Sequence, residues 1–224
     1  MAGARGIDPA VRERLLDAVE MSLERYGVGK TTMENVASLA GVSRGFVYKH
    51  FKSKDGLILA MLVRRAERFN ARARTFIEAQ PDLTESLVQG IELAVRMADR
   101  DPYFGLLVGS ATTDPVNRIE GAVEEALRLT GELWRPVLVA AQDRGELRAD
   151  IRLDDLVHWI MYLELILLAG RRVLGVDDAG QERQLREFFV PAVLAEGPLV
   201  DLVAREAVPR SNGGRRAREP RGTA

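Results

Sequence analysis

The 224-residue chain contains no cysteine. That excludes disulfides, thiolate metal sites and cysteine nucleophiles. Histidine occurs twice, at His50 and His158, so imidazole chemistry has little to draw on. No G-x-S-x-G, H-E-x-x-H or Walker loop is present. No run is long and apolar enough to span a bilayer. The most apolar stretch, 156–170, has 15 residues and contains His158 and Glu164, against the roughly 20 that a membrane helix needs. Met1 to Pro9 lacks the apolar core of a secretory leader. No alternating strand pattern and no internal repeat appears. The expectation is an all-α protein of the cytoplasm, with no catalytic residues, no metal, no cofactor and no membrane partner.

What is present is helical periodicity interrupted by breakers. Asp8-Pro9 opens the first helix: Asp suits the N-cap, and Pro is pre-set for the first helical position. Val11, Leu15, Ala18, Val19, Leu23 and Tyr26 follow at helical spacing, and Gly27 and Gly29 end the helix. Thr31-Thr32 opens the second, with Thr31 and Glu34 at capping-box spacing. Met33, Val36, Ala37 and Ala40 form one apolar face, and Gly41 stops it. Ser43 caps a short third helix, Arg44 to about His50. Ser53 caps a long fourth, which runs to the break at Gln80-Pro81-Asp82. Further helices are expected near 83–99, 103–112, 117–145, 154–173 and 180–195, with a kink at Pro136. After about Glu206 the chain is rich in Arg, Gly and Pro and has little to bury, which predicts a disordered tail.

Charge is distributed unevenly. The net charge is −1, but residues 1–56 carry nine basic against seven acidic side chains, and residues 205–224 six against two. All four lysines (Lys30, Lys49, Lys52 and Lys54) lie within 25 residues. From Arg44 to Lys54 there are four positive charges and no negative one. Such a patch suits a polyanion, and equally a solvated helix face. Within residues 31–54 it coincides with two short helices joined by a tight Gly-containing turn, the organisation of a helix-turn-helix.

The combination Gly27, Thr31-Thr32, Val36-Ala37, Ala40-Gly41-Val42-Ser43, Gly45, Tyr48, His50-Phe51, Lys54 and Leu57 resembles the DNA-binding domain of TetR-type (tetracycline-repressor-like) regulators. The likeness is sharp over roughly the first 65 residues and architectural beyond them. It implies an N-terminal three-helix helix-turn-helix domain at 8–68, with the motif at about 31–50. A helical effector-binding and dimerisation domain would follow at 69–204, giving about nine helices in all, and then the Arg-rich tail at 205–224. It also implies a homodimer, pairing through the last two body helices, on a double-stranded DNA operator.

By the same resemblance, Thr32 and Ser43 would meet phosphate, with Gly45 beside them. Arg44, Phe46 and Lys49 would face bases, Arg44 able to hold a guanine edge bidentately and Phe46 to pack on thymine methyls or on the core. Tyr48 and His50 would position the backbone, and Lys54 would add a charge.

Three features of the body invite a role. Phe76, Met97, Tyr103, Phe104, Trp134, Leu138, Trp159 and Tyr162 are candidates to line a pocket for an apolar or aromatic small-molecule effector, with Glu164 among them. Each one singly is also ordinary core. Glu164, set in an apolar run, needs either an arginine partner or a ligand. Asp154 and His158, four apart, have metal-ligand spacing, but Asp154 also suits a helix N-cap and His158 a packed interface. The main reading is a repressor released from its operator by such an effector. The alternative is a protein-interaction regulator of the same fold with no small-molecule effector.

Overall fold

The computed structural model describes residues 7–103, 119 and 121–195. Among these the chain is helical, and the sole β feature is an isolated bridge between Leu147 and Leu194. Helix α1 spans Pro9–Lys30. The Asp8 carboxylate accepts from the N–H groups of Ala10 and Val11, at 2.8 and 3.2 Å, and so satisfies two of the orphan donors of a helix start. Gly27 interrupts α1 with φ of 73°, a left-handed conformation that glycine adopts without a Cβ penalty. Its carbonyl then accepts from both the N–H and the hydroxyl of Thr31, at 3.1 and 2.9 Å.

That bond moves the second N-cap. Thr31 is buried and closes α1, while Thr32 caps α2 (Met33–Ala40) by accepting from the Asn35 N–H at 3.1 Å. The capping-box spacing of Thr31 and Glu34 is therefore not used. Gly41 ends α2 in the left-handed region, and Ser43 caps α3 (Arg44–His50) through the Phe46 N–H. Ser53 caps α4 (Lys54–Glu78), and Asp82 caps α5 (Leu83–Arg100).

Helix α6 is Ala122–Asp143 and continues through Pro136. Helix α7, Leu153–Ala169, extends into a π-helical turn at Gly170–Leu174. Its N-cap is Arg152, so Asp154 is not the cap. It lies in the first turn and pairs with Arg135. Helix α8 (Asp178–Gln184), a π turn at Leu185–Phe189 and α9 (Val190–Val193) form the last segment. The expected helix at 103–112, the start of the one at 117–145, and the tail lie outside the described residues.

Two apolar clusters result. The first joins Leu15 and Val19 of α1, Val36 of α2, Val47 of α3 and Leu57 and Met61 of α4, and reaches Ile119 and Leu129. The second joins Phe69 and Ile77 of α4 to α5, α6, α7 and the last segment, with Trp134 fully buried. Two helices, α4 and α6, thus belong to both.

Helix α4 is held to α1 by charge as well. Arg64, 4% exposed, reaches Glu13, Asp17 and Glu20 on α1, with Asp17 at 2.8 Å and Glu20 at 3.0 Å. Those acids recur at i, i+4 and i+7, so one face of α1 presents them all. Arg65 bridges Glu20 to Asp101 at the end of α5.

Candidate nucleic-acid interface and effector cavity

The geometry of α3 follows from its caps. Val47 is buried, so the residues half a turn away face outward. Arg44, Gly45, Tyr48 and Lys49 are exposed, as are the two cap residues Thr32 and Ser43. Phe46 and His50 are half-buried, with ring centroids 4.7 Å apart, and both ends of the short helix are thereby stiffened. Phe46 also packs against the first apolar cluster, so its apolar surface is partly spent inside the protein.

Two residues carry contacts that the sequence did not signal. Arg44 forms an ion pair with Glu34 of α2 at 2.9 Å, and its guanidinium lies 5.2 Å from the Tyr48 ring centroid. An exposed pair of this kind is worth about 0–1 kcal/mol, so it pre-orients Arg44 at small cost to any later exchange. Lys54 is half-buried, and its ammonium donates to the Val28 carbonyl at 3.1 Å. It ties the start of α4 to the end of α1, a staple that the sequence reading had placed as a charge contact. The staple spans 26 positions, beyond the reach of any local pattern.

The body holds a cavity of about 60 Å³ between α4, α5, α6 and α7. Its wall includes Ala66, Phe69, Asn70, Leu129, Thr130 and Glu164. Of the nine expected pocket residues, Glu164 alone lies in this wall. Trp134 and Leu138 are buried in the second cluster without bordering the cavity. Phe76, Trp159 and Tyr162 are exposed, Trp159 by 52% and Tyr162 by 46%. Met97 lies in a groove beside Arg65 and Arg100, and Tyr103 sits beneath the Arg65 guanidinium. Phe104 falls outside the described residues. The physical reason is helical phase. On α7 the cavity takes Met161, Glu164, Leu165 and Leu168, spaced i, i+3, i+4 and i+7, which turns 159, 162 and 166 to the opposite side. In a helix apolar all round, sequence does not reveal which side meets the cavity. Asn70 and Thr130 were missed because single polar residues on amphipathic helices look like solvent positions.

Glu164 has no arginine, lysine or histidine partner among the described residues. Burial pushes its carboxyl up to about 7, and the Trp134 indole offsets this slightly. The Trp134 Nε1–H does not complete a hydrogen bond of good geometry. The arginine pairing anticipated for Glu164 is therefore replaced by a nearly unpaired carboxyl at a cavity. The other chemistry considered, at Asp154 and His158, is consumed internally. Arg135 holds the Asp154 carboxylate, and His158 Nδ1 lies 2.7 Å from the Asp154 carbonyl oxygen. No group of three or more candidate metal ligands occurs among the described residues. No described helix is long and apolar enough to cross a membrane.

Residues 15–61 match the family model described as bacterial regulatory proteins, tetR family. The chain is 25% identical over 148 residues to a probable acrEF/envCD operon repressor of Escherichia coli K12, covering 64% of this chain and 67% of that one. It is 41% identical over 51 residues to the HTH-type transcriptional regulator TtgR of Pseudomonas putida, which is 23% of this chain and 24% of TtgR. Its fold is similar to that of RolR in complex with resorcinol, with a TM-score of 0.66 at 16% identity, covering 89% of this chain and 95% of RolR.

Proposed function

The chain belongs to the TetR family of transcriptional regulators, and from that membership we propose that it is a repressor released from its operator by a small, largely apolar effector. The observation that carries this reading is the shared use of α4. Its first turn braces the helix-turn-helix through Lys54 and Leu57, and its middle forms a cavity wall through Ala66, Phe69 and Asn70. A cavity of about 60 Å³ is well below the roughly 300–1,000 Å³ of a pocket for a drug-sized molecule. An effector therefore enters by spreading the wall. It favours the spread state only by its differential affinity for it, typically about 1–3 kcal/mol of coupling.

On DNA, α3 enters the major groove with Arg44, Tyr48 and Lys49 outermost, while the caps Thr32 and Ser43 approach phosphate. Two copies hold their recognition helices about 34 Å apart, one turn of the duplex. The site of action is the cytoplasm, where the operator is.

Fluorescence anisotropy with a duplex from the chain's own promoter region and a random duplex, at several salt concentrations, tests the assignment. Arg44→Ala is expected to lose about 1–3 kcal/mol of discrimination between them. Lys49, the last exposed residue of α3, is read as reaching phosphate rather than a base, so Lys49→Ala is expected to weaken both alike and to reduce the salt slope by about one. If both variants act identically on both duplexes, the residue roles are wrong. A wild-type chain with no preference for any duplex at any salt would favour a protein partner instead.

A further inference from the structure

We infer that the cavity between α4, α5, α6 and α7 selects apolar ligands bearing a protonated amine, with Glu164 as the contact for the cation. The inference rests on the effector reading above and names its ligand class.

Glu164 is the one ionisable side chain among the described residues of the wall. Helices α4 and α5 contribute Ala66, Phe69, Asn70, Ala94, Val95 and Ala98, and α6 adds only apolar groups and Thr130, so nothing titratable faces the carboxyl from any of them. Arginines of α4 and α5 that flank the wall residues in sequence are paired elsewhere: Arg65 to Asp101 and Glu20, Arg68 to Glu13, and Arg96 to Glu92. A carboxylate set in apolar surroundings without a cation is costly to keep charged, and an arriving cation removes that cost.

The remaining polar groups are compatible with a cation. Asn70 spends one of its two amide N–H groups on the Leu129 carbonyl at 2.9 Å, which leaves its carbonyl oxygen as an acceptor and one N–H as a donor. The wall's one charge-bearing group is thus an acceptor, Glu164, and Asn70 and Thr130 beside it can each accept or donate. An ammonium, three donors and no acceptor, matches that inventory, and a carboxylate ligand opposes it.

Three ligands of similar size separate the possibilities: 2-phenylethylamine, 2-phenylethanol and phenylacetate, each titrated calorimetrically into the full chain. At pH 8 the amine is expected to bind about tenfold or more tighter than the alcohol, the scale of a charge-assisted hydrogen bond, and the acid weakest. Because the free carboxyl titrates at about 7, amine binding at pH 7 should release about half a proton per site, read from the heats in buffers of different ionisation enthalpy. Glu164→Gln should abolish the proton release and the preference for the amine, bringing the amine's affinity to within about twofold of the alcohol's. Binding of the alcohol or the acid with no preference for the amine, or a preference that survives Glu164→Gln, overturns this inference alone. Failure of all three to bind overturns the effector reading of the cavity and this inference with it.

Discussion

Glu164 also governs a measurable pH dependence. Its ordinary value of 4.5 applies in the unfolded chain, against about 7 in the folded one. Between those values the native protein keeps a proton that the unfolded chain has released, so stability declines as pH rises through the window. The full decline is roughly 3 kcal/mol, at about 1.4 kcal/mol per unit. Glu164→Gln keeps the shape and cannot ionise. It is expected to match the wild type in urea denaturation near pH 4.5 and to exceed it by up to about 3 kcal/mol at pH 8. An equal difference at both pH values would show that the carboxyl is well solvated. Arg44 shows the opposite case at the same scale. It is exposed, and its ion pair is with exposed Glu34, so it contributes little to folding.

At the scale of elements, the Trp134 indole of α6 packs directly on the backbone of α5 at Gly90. A Cβ on Gly90 would sit 2.6 Å from Trp134 Cη2 and 2.9 Å from Ile77 Cγ1. Trp134 is wholly buried and cannot retreat. Alanine would gain about 1 kcal/mol of helix propensity, but overpacking against a rigid indole costs about 1–3 kcal/mol. Gly90→Ala is therefore expected to lower the urea midpoint, and an unchanged midpoint would mean that α5 and α6 can slide apart freely. The α1–α4 contact has a different character. Arg64 lies at i+3 from Met61 and i+7 from Leu57, on the apolar stripe of α4, where a charge is tolerated because three carboxylates of α1 receive it.

At the scale of the whole molecule, the outer face of α7 gathers large exposed apolar side chains among the described residues. Trp159, Tyr162 and Ile166 line it, and Val173, Leu174 and Phe188 extend it, the last three more than 70% exposed. Contiguous apolar surface of this kind marks an interface, and a closed two-fold pairing covers it on both copies at once. This supports the proposed dimer through α7 and the segment that follows. Ile166→Glu, 61% exposed in the single chain, is expected to leave the fold intact and to shift sedimentation from dimer to monomer, with loss of operator binding at matched concentration. A dimer that persists at micromolar chain concentration would place the interface elsewhere.

What sequence alone determined was local. Asp8, Ser43 and Ser53 cap helices because their side chains reach unpaired backbone N–H groups two or three residues on, and Gly41 ends one because glycine accepts a left-handed φ cheaply. The exposed face of α3 and the family motif were legible for the same reason, since one continuous stretch from Gly27 to Leu57 encodes them through its own helices and turns. Tertiary structure decided everything that joins distant segments: the Lys54 staple to Val28, the Arg64 cluster, the pairing of Arg44 with Glu34, and which side of α7 meets the cavity. Even the choice between Thr31 and Thr32 as cap depended on the kink at Gly27, whose carbonyl claims Thr31. Periodicity states that a helix has an apolar face, but only its neighbours determine where that face points and which carboxyl it brings to the cavity.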